Sequence, residues 1–265
     1  MNFSFAILNL ILLLIVNCTL FGQPYNLKTE REAILFGFGV STGGTGFFLE
    51  RNVAPLSASE IKNISKSEVN SIDRSACNNY NTFLGSISDV SVITLMATPT
   101  LLFLSDDIST DFGTVSTMYL QTLMFIYALP SVSKGSIKRP RPYVYNPEAP
   151  TEKKLGQDAV KSYFSGHTTA AFASAVFLST VYSDYFPGSK YKGWIWAGSI
   201  LAAATIGYLR YESGNHFPTD VISGAIVGSA IGFLIPYLHR QVGDKNITPS
   251  ANNSGGFSVG FSYSF

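Results

Sequence analysis

Apolar residues in this chain gather into blocks separated by polar stretches, and the blocks are too long for strands. Their periodicity predicts helices over about 33–49, 88–104, 114–133, 168–183, 193–209 and 220–239. Several reach only the lower end of the roughly 17–25 residues that cross a bilayer. Small residues recur in them, as in 170–175 and 223–232, and small residues let helices approach closely. A shorter apolar run, 5–16, reads as the core of a secretory signal with cleavage after Gly22. At the far end, Phe257, Val259, Phe261, Tyr263 and Phe265 alternate with polar residues or glycine, as on one face of a strand. The expected organisation is a signal-like segment (1–22), a helix with a polar connection (23–87), an all-α bundle of about six core helices (88–240 with the first helix), and a linker with a β-like tail (241–265).

Composition strengthens the membrane reading. Only 13% of residues are charged, against roughly 25% in an average soluble domain. The net charge of +1, with no basic stripe, gives no field to recruit nucleic acid. Cys18 and Cys77 are the two cysteines, too few for a disulfide framework or a cysteine metal site.

Chemistry concentrates in the loops at helix ends. Lys134 is followed after six residues by Arg141-Pro142; Ser165-Gly166-His167 opens the fourth core helix; Arg210 is followed after five residues by His216 and after three more by Asp220. Phosphoryl transfer spreads negative charge over the equatorial oxygens, so a site needs fixed cations and aimed N–H groups. Lys134, Arg141 and Arg210 supply the cations, and an arginine grips two oxygens at once. Gly166 allows close backbone approach, and the helix start near Thr168 aims free N–H groups at an anion. Asp220, four residues after His216, is expected to accept from one imidazole nitrogen and leave the other to attack phosphorus. His167 then protonates the leaving alkoxide and activates water. In an up-down bundle these three connections share one end, so the motifs converge.

Other assignments fit less well. Ser165 lacks the G-x-S-x-G setting of a hydrolase nucleophile. His167 and His216 lack a third His or Cys for zinc, so no metal is expected. His239 reads as a helix-end or interfacial residue, and Lys138, Arg139, Lys153, Lys154 and Lys161 read as solvated loop cations. Cys77 reads as a small buried apolar residue.

The three motifs resemble the signature of the type 2 phosphatidic acid phosphatase family, within the superfamily that includes bacterial acid phosphatases and vanadium haloperoxidases. Over roughly 88–239 the chain reads K-x6-RP, FSGH and LR-x5-H-x3-D, where that signature has PSGH and SR-x5-H-x3-D; Phe164 and Leu209 replace its proline and serine. The resemblance implies a helical bundle and cofactor-free hydrolysis of phosphomonoesters or diphosphates, with catalysis by His216, His167 and Asp220. Phosphate would be held by Lys134, Arg141, Arg210, Ser165 and Gly166. The expected substrate is a phosphorylated lipid at a bacterial-type cell envelope, with the site on the envelope side. A soluble periplasmic phosphatase of small phosphomonoesters and a vanadate-dependent haloperoxidase are the alternatives.

Overall fold

A computed structural model of the chain describes residues 23–241. The signal-like segment, Cys18, the linker from residue 242 and the alternating tail lie outside the described residues. All regular structure within them is helical apart from one isolated bridge, Tyr25 to Arg240. Nine α-helices occur among the described residues, against the six or so expected. Six are long: α1 (Thr29–Arg51), α3 (Thr82–Ala97), α5 (Phe112–Ile137), α7 (Gly166–Tyr185), α8 (Lys192–Glu212) and α9 (Pro218–His239). The other three, α2 (Ala58–Asn63), α4 (Asp106–Ser109) and α6 (Thr151–Lys154), are short pieces inside the polar connections. Such pieces carry no long apolar block, so periodicity does not reveal them.

Caps account for the boundaries. Asn81 starts α3 by accepting from the Leu84 N–H at 3.0 Å, and Ser65 and Ser57 begin turns in the same way. The predicted 88–104 helix begins six residues earlier, at Thr82, and finishes as a 3-10 stretch over Thr98–Leu104. Lys138 ends α5 in the left-handed conformation (φ 49°), which redirects the chain toward Arg139 and Arg141.

α7 is the central helix and packs against α9, α8, α3 and α5, while α1 lies along α5. Its buried positions are mostly Ala, Ser and Thr, so its neighbours come close on several sides. The tightest contact is with α9. Added Cβ atoms at Gly224, Gly228 and Gly232 would stand 2.6, 2.3 and 2.3 Å from the carbonyl oxygens of Ser165, Thr169 and Ala173. A glycine at every fourth residue thus lays the α9 backbone on α7, as small residues do between membrane helices. That contact fixes the start of α9 against the start of α7, where two of the three motifs lie.

Four segments are long and apolar enough to cross a membrane by length and composition: Thr29–Arg51, Thr82–Leu104, Phe112–Tyr145 and Pro218–His239. Large apolar side chains such as Phe48, Val90, Ile93, Leu201 and Ile226 face outward, as lipid-facing positions would. The chain is a membrane-associated bundle on this evidence.

His239 departs from its expected interfacial place. It is fully buried, with Nε2 2.9 Å from Glu32 of α1 and Nδ1 2.7 Å from the Ile235 carbonyl. Gln121 of α5 donates to the same carboxylate oxygen, Glu32 Oε2, at 2.6 Å. This buried polar cluster ties α1, α5 and α9 together at the end where α1 starts and α9 finishes.

Candidate active site

Three connections meet at one end of the bundle: the last turn of α5 with 138–145, the start of α7, and the turn from α8 to α9. The last of these depends on Gly214, whose φ of +73° and contact with Asn79 leave no room for a side chain. That turn places His216 almost wholly inside the protein, at 1% exposure. Its Nδ1 lies 2.8 Å from the Ser162 carbonyl oxygen. A carbonyl only accepts, so Nδ1 carries the proton and Nε2 carries the lone pair. Nε2 receives a hydrogen bond from Arg141 Nη1 at 3.1 Å. Burial, followed by the nearby charges of Arg141, Arg210 and Lys134, holds the His216 pKa well below the ordinary histidine value. The imidazole is therefore neutral at physiological pH.

Asp220 does not hold this ring in the way its spacing suggests. Its Oδ2 is 3.7 Å from His216 Nδ1, beyond hydrogen-bonding range. The carboxylate instead accepts from the Phe217 N–H at 2.9 Å, from Ser162 Oγ at 2.5 Å and from Arg139 Nη1 at 2.5 Å. It closes the first turn of α9 and anchors the segment whose carbonyl orients His216. Asp220 therefore positions the histidine through Ser162 and Phe217.

Arg139 is correspondingly not a solvated loop cation. Its guanidinium also donates to Asp73 at 2.6 Å and Thr219 Oγ1 at 2.8 Å, and it lies 4.1 Å over the Phe217 ring. Asp73, fully buried, accepts from the Thr219 N–H at 2.9 Å and the Thr219 hydroxyl at 2.7 Å. Burial opposes the Asp73 charge, but the Thr219, Asn70 and Arg139 hydrogen bonds hold its pKa below the usual carboxylate value. Lys161 is also buried, 3.7 Å from Glu50, and Lys153 lies over the Tyr80 and Tyr143 rings.

The cations converge around His216. Arg141 is buried and braced by Asp158, whose backbone and side-chain oxygens accept at 2.9 and 2.8 Å. Arg210 donates to Ser88 at 3.0 Å and Asp89 at 2.9 Å, and its buried Nε has no acceptor among the described residues. Lys134, in the last turn of α5, brings Nζ to within 3.4 Å of where a Cβ on Gly166 would stand. Ser165 caps α7: its Oγ accepts from the Thr168 N–H at 3.3 Å and the Thr168 hydroxyl at 2.8 Å. Its own hydroxyl proton is left to donate elsewhere. The N–H groups of Gly166 and His167 precede the first intrahelical bonds, as the opening N–H groups of any helix do. His167, half-buried, has Nε2 2.8 Å from Asp89 Oδ1.

Three cations and a capped helix start surround a neutral buried imidazole, an arrangement that can hold an anion against its unprotonated nitrogen. No three His, Cys, Asp or Glu side chains come together as a metal site among the described residues. The sequence reading missed Asp89, Asp73, Ser162 and Asp158. Asp89 had a usable signal, because it is the one charged residue in the apolar segment Thr82–Leu104. Ionisable residues in such segments are functional by default.

Residues 116–244 match the PAP2 superfamily. Over that stretch, just under half of its length, the chain is similar to PAP2 superfamily phosphatases. Its relatives include the bacitracin transport permease protein BcrC of Bacillus licheniformis, 28% identical over 131 residues, or 44% of this chain and 60% of that one. An undecaprenyl-diphosphatase of Sulfolobus acidocaldarius is 34% identical over 107 residues, or 40% of this chain and 46% of that one. The chain thus aligns with about half the length of these relatives. A crystal structure described as the first transmembrane PAP2 type phosphatidylglycerolphosphate phosphatase, from Bacillus subtilis, superposes with a TM-score of 0.42 at 18% identity, covering 78% of this chain and 94% of that one.

Proposed function

We propose that this chain is a metal-independent phosphatase that hydrolyses a phosphomonoester or diphosphate group of a membrane lipid through a phospho-histidine intermediate. The observation that carries the reading is the state of His216. Nδ1–H is committed to Ser162, and the Nε2 lone pair faces the cation cluster.

In the reaction, Nε2 attacks phosphorus while the bond from phosphorus to the leaving oxygen breaks. Arg141, Arg210 and Lys134 take up the charge on the equatorial oxygens, and the free Arg210 Nε gains the acceptor it lacks. His167 gives its proton to the leaving oxygen; burial and Arg210 depress its pKa to about 4, and the Asp89 carboxylate, together with the negative charge of a bound phosphate, opposes them and favours the imidazolium. Water then loses a proton to His167 and attacks the phospho-histidine, releasing phosphate and restoring both histidines.

The apolar helices favour a lipid, and the name of one relative, an undecaprenyl-diphosphatase, points toward polyprenyl diphosphates among the lipids. The site is assigned to the envelope side of a bacterial-type membrane. The test is phosphate release by detergent-purified protein from undecaprenyl diphosphate, phosphatidic acid and nitrophenyl phosphate, with EDTA present, beside His216→Ala. Lipid turnover lost in the variant is the expected result. Turnover of nitrophenyl phosphate alone would favour a phosphatase of small esters. No turnover, with halide oxidation on adding vanadate, would replace the phosphatase by a haloperoxidase.

A further inference from the structure

A groove of about 460 Å³ runs between α3 and α8. Val90, Thr94 and Thr98 form one wall, and Ala202, Thr205 and Leu209 form the other. The two residues at its head are sequence neighbours of site residues: Val90 follows Asp89, and Leu209 precedes Arg210. Asp89 touches both His167 and Arg210, yet its side chain is 57% exposed. At Asp89 the cradle is thus open to the surface, one residue before the first residue that lines the groove.

The groove is more apolar than its sequence suggests. Thr94, Thr98 and Thr205 return their hydroxyls to the Val90, Leu95 and Leu201 carbonyls of their own backbone, at 3.0, 2.7 and 2.9 Å. Satisfied in this way, they offer methyl groups. Buried Leu95 and Ile206 close the floor. Leu209 puts an apolar side chain at the head, at the position where the resembled signature has serine. From Asp89 to Thr98 the path along α3 and into the 3-10 stretch is about 14 Å, at roughly 1.5 Å per residue. A second groove of similar volume, beside Phe103 and Phe112, adjoins none of the site residues and offers no such continuity.

We infer that the α3/α8 groove holds one hydrocarbon chain of the substrate, with Leu209 as the residue that selects for it. This rests on the phosphatase reading only for the identity of the headgroup. A phosphate held by Arg210 and Arg141 places the first carbons of its ester beside Asp89 and Leu209. The chain then lies along the α3 and α8 walls toward the membrane interior. Since lipid tails are already in an apolar medium, the groove orients the chain and adds little affinity.

Two measurements decide it. A non-hydrolysable phosphonate analogue of phosphatidic acid, with a diazirine midway along one acyl chain, is photolysed with the wild-type protein. The labelled peptides are compared with those from a diacylglycerol carrying the same diazirine. Enrichment of several-fold on 90–98 and 202–209, abolished by Arg210→Ala, is expected; matching distributions for the two lipids overturn the inference. Separately, Thr205→Phe and Ala202→Leu fill the groove at exposed positions, and Thr205→Val removes only the hydroxyl. The filling variants should lower kcat/KM for dioleoyl phosphatidic acid at least tenfold, while nitrophenyl phosphate stays within twofold and Thr205→Val behaves as wild type. Equal losses on both substrates, or none on the lipid, overturn it. Concentrated labelling without phosphate release from any substrate would sink the phosphatase and keep the groove. Lipid turnover with evenly spread label would do the reverse.

Discussion

Asp73 and Asp220 grip the same guanidinium from two sides, at 2.6 and 2.5 Å from different nitrogens of Arg139. Both carboxylates are fully buried, and they come from elements 147 positions apart (220 minus 73). One cation therefore fixes the loop before α3 to the first turn of α9, and through Ser162 and Phe217 it fixes His216. Removing it leaves two buried charges facing each other, and breaking a buried pair costs about 3–5 kcal/mol. Arg139→Ala should lower the thermal midpoint in detergent by several degrees. Arg139→Lys, with one point charge and no fork, should fall between. A midpoint unchanged in Arg139→Ala would show that the bridge does not hold the site together.

The Asp89 to His167 contact assigns a different role to each partner. If His167 is the acid, His167→Ala should slow hydrolysis of an alkyl phosphate by about 10²–10⁴-fold. Nitrophenyl phosphate, with a leaving group that needs little protonation, should lose far less. Asp89→Asn keeps the shape but removes the charge that favours the imidazolium. Its alkaline limb in a pH profile should move to lower pH. Equal losses on the two substrates in His167→Ala would remove it from the acid role.

The depressed pKa of His216 also makes a stability prediction. Unfolded, the residue protonates near pH 6.5, and folded it stays neutral to much lower pH. Between those values the unfolded chain binds more protons, so stability rises with pH and is lost as pH falls below about 6.5, by up to about 1.4 kcal/mol per pH unit. Thermal midpoints measured from pH 7 to pH 5 should fall more steeply in the wild type than in His216→Gln. Parallel slopes would mean that His216 is charged in the folded state.

Much of this was legible in the sequence, and the parts that were not share a cause. The six long helices follow from apolar blocks, and the meeting of Lys134, Arg141, His167, Arg210 and His216 follows from their places at helix ends. The partners of those residues did not follow. Arg139 looked solvated because Asp73 and Asp220 are distant in sequence, and His239 looked interfacial because Glu32 is 207 positions away. For Asp220, the i+4 spacing from His216 was real but misled. As the third residue of α9, it turns its carboxylate back onto the Phe217 N–H, which pulls it off the imidazole.

The glycine ridge of α9 makes the last prediction, because it links packing directly to catalysis. A Cβ at Gly228 would meet the Thr169 carbonyl oxygen at 2.3 Å, and a backbone oxygen cannot rotate aside as a side chain can. Gly228→Ala must therefore lift α9 from α7, at a cost of about 1–3 kcal/mol for an overpacked contact. Since α9 begins two residues after His216 and α7 begins with the Ser165 cap, the shift should also reach the cradle. Both a lower thermal midpoint and a lower kcat are expected. Gly44→Ala in α1 is the control, since nothing lies within 4 Å of its added methyl. Helix propensity alone should make that variant about 0.8–1.0 kcal/mol more stable, with kcat unchanged. Were both variants to behave alike, backbone contact between α7 and α9 would not be what aligns the two histidines.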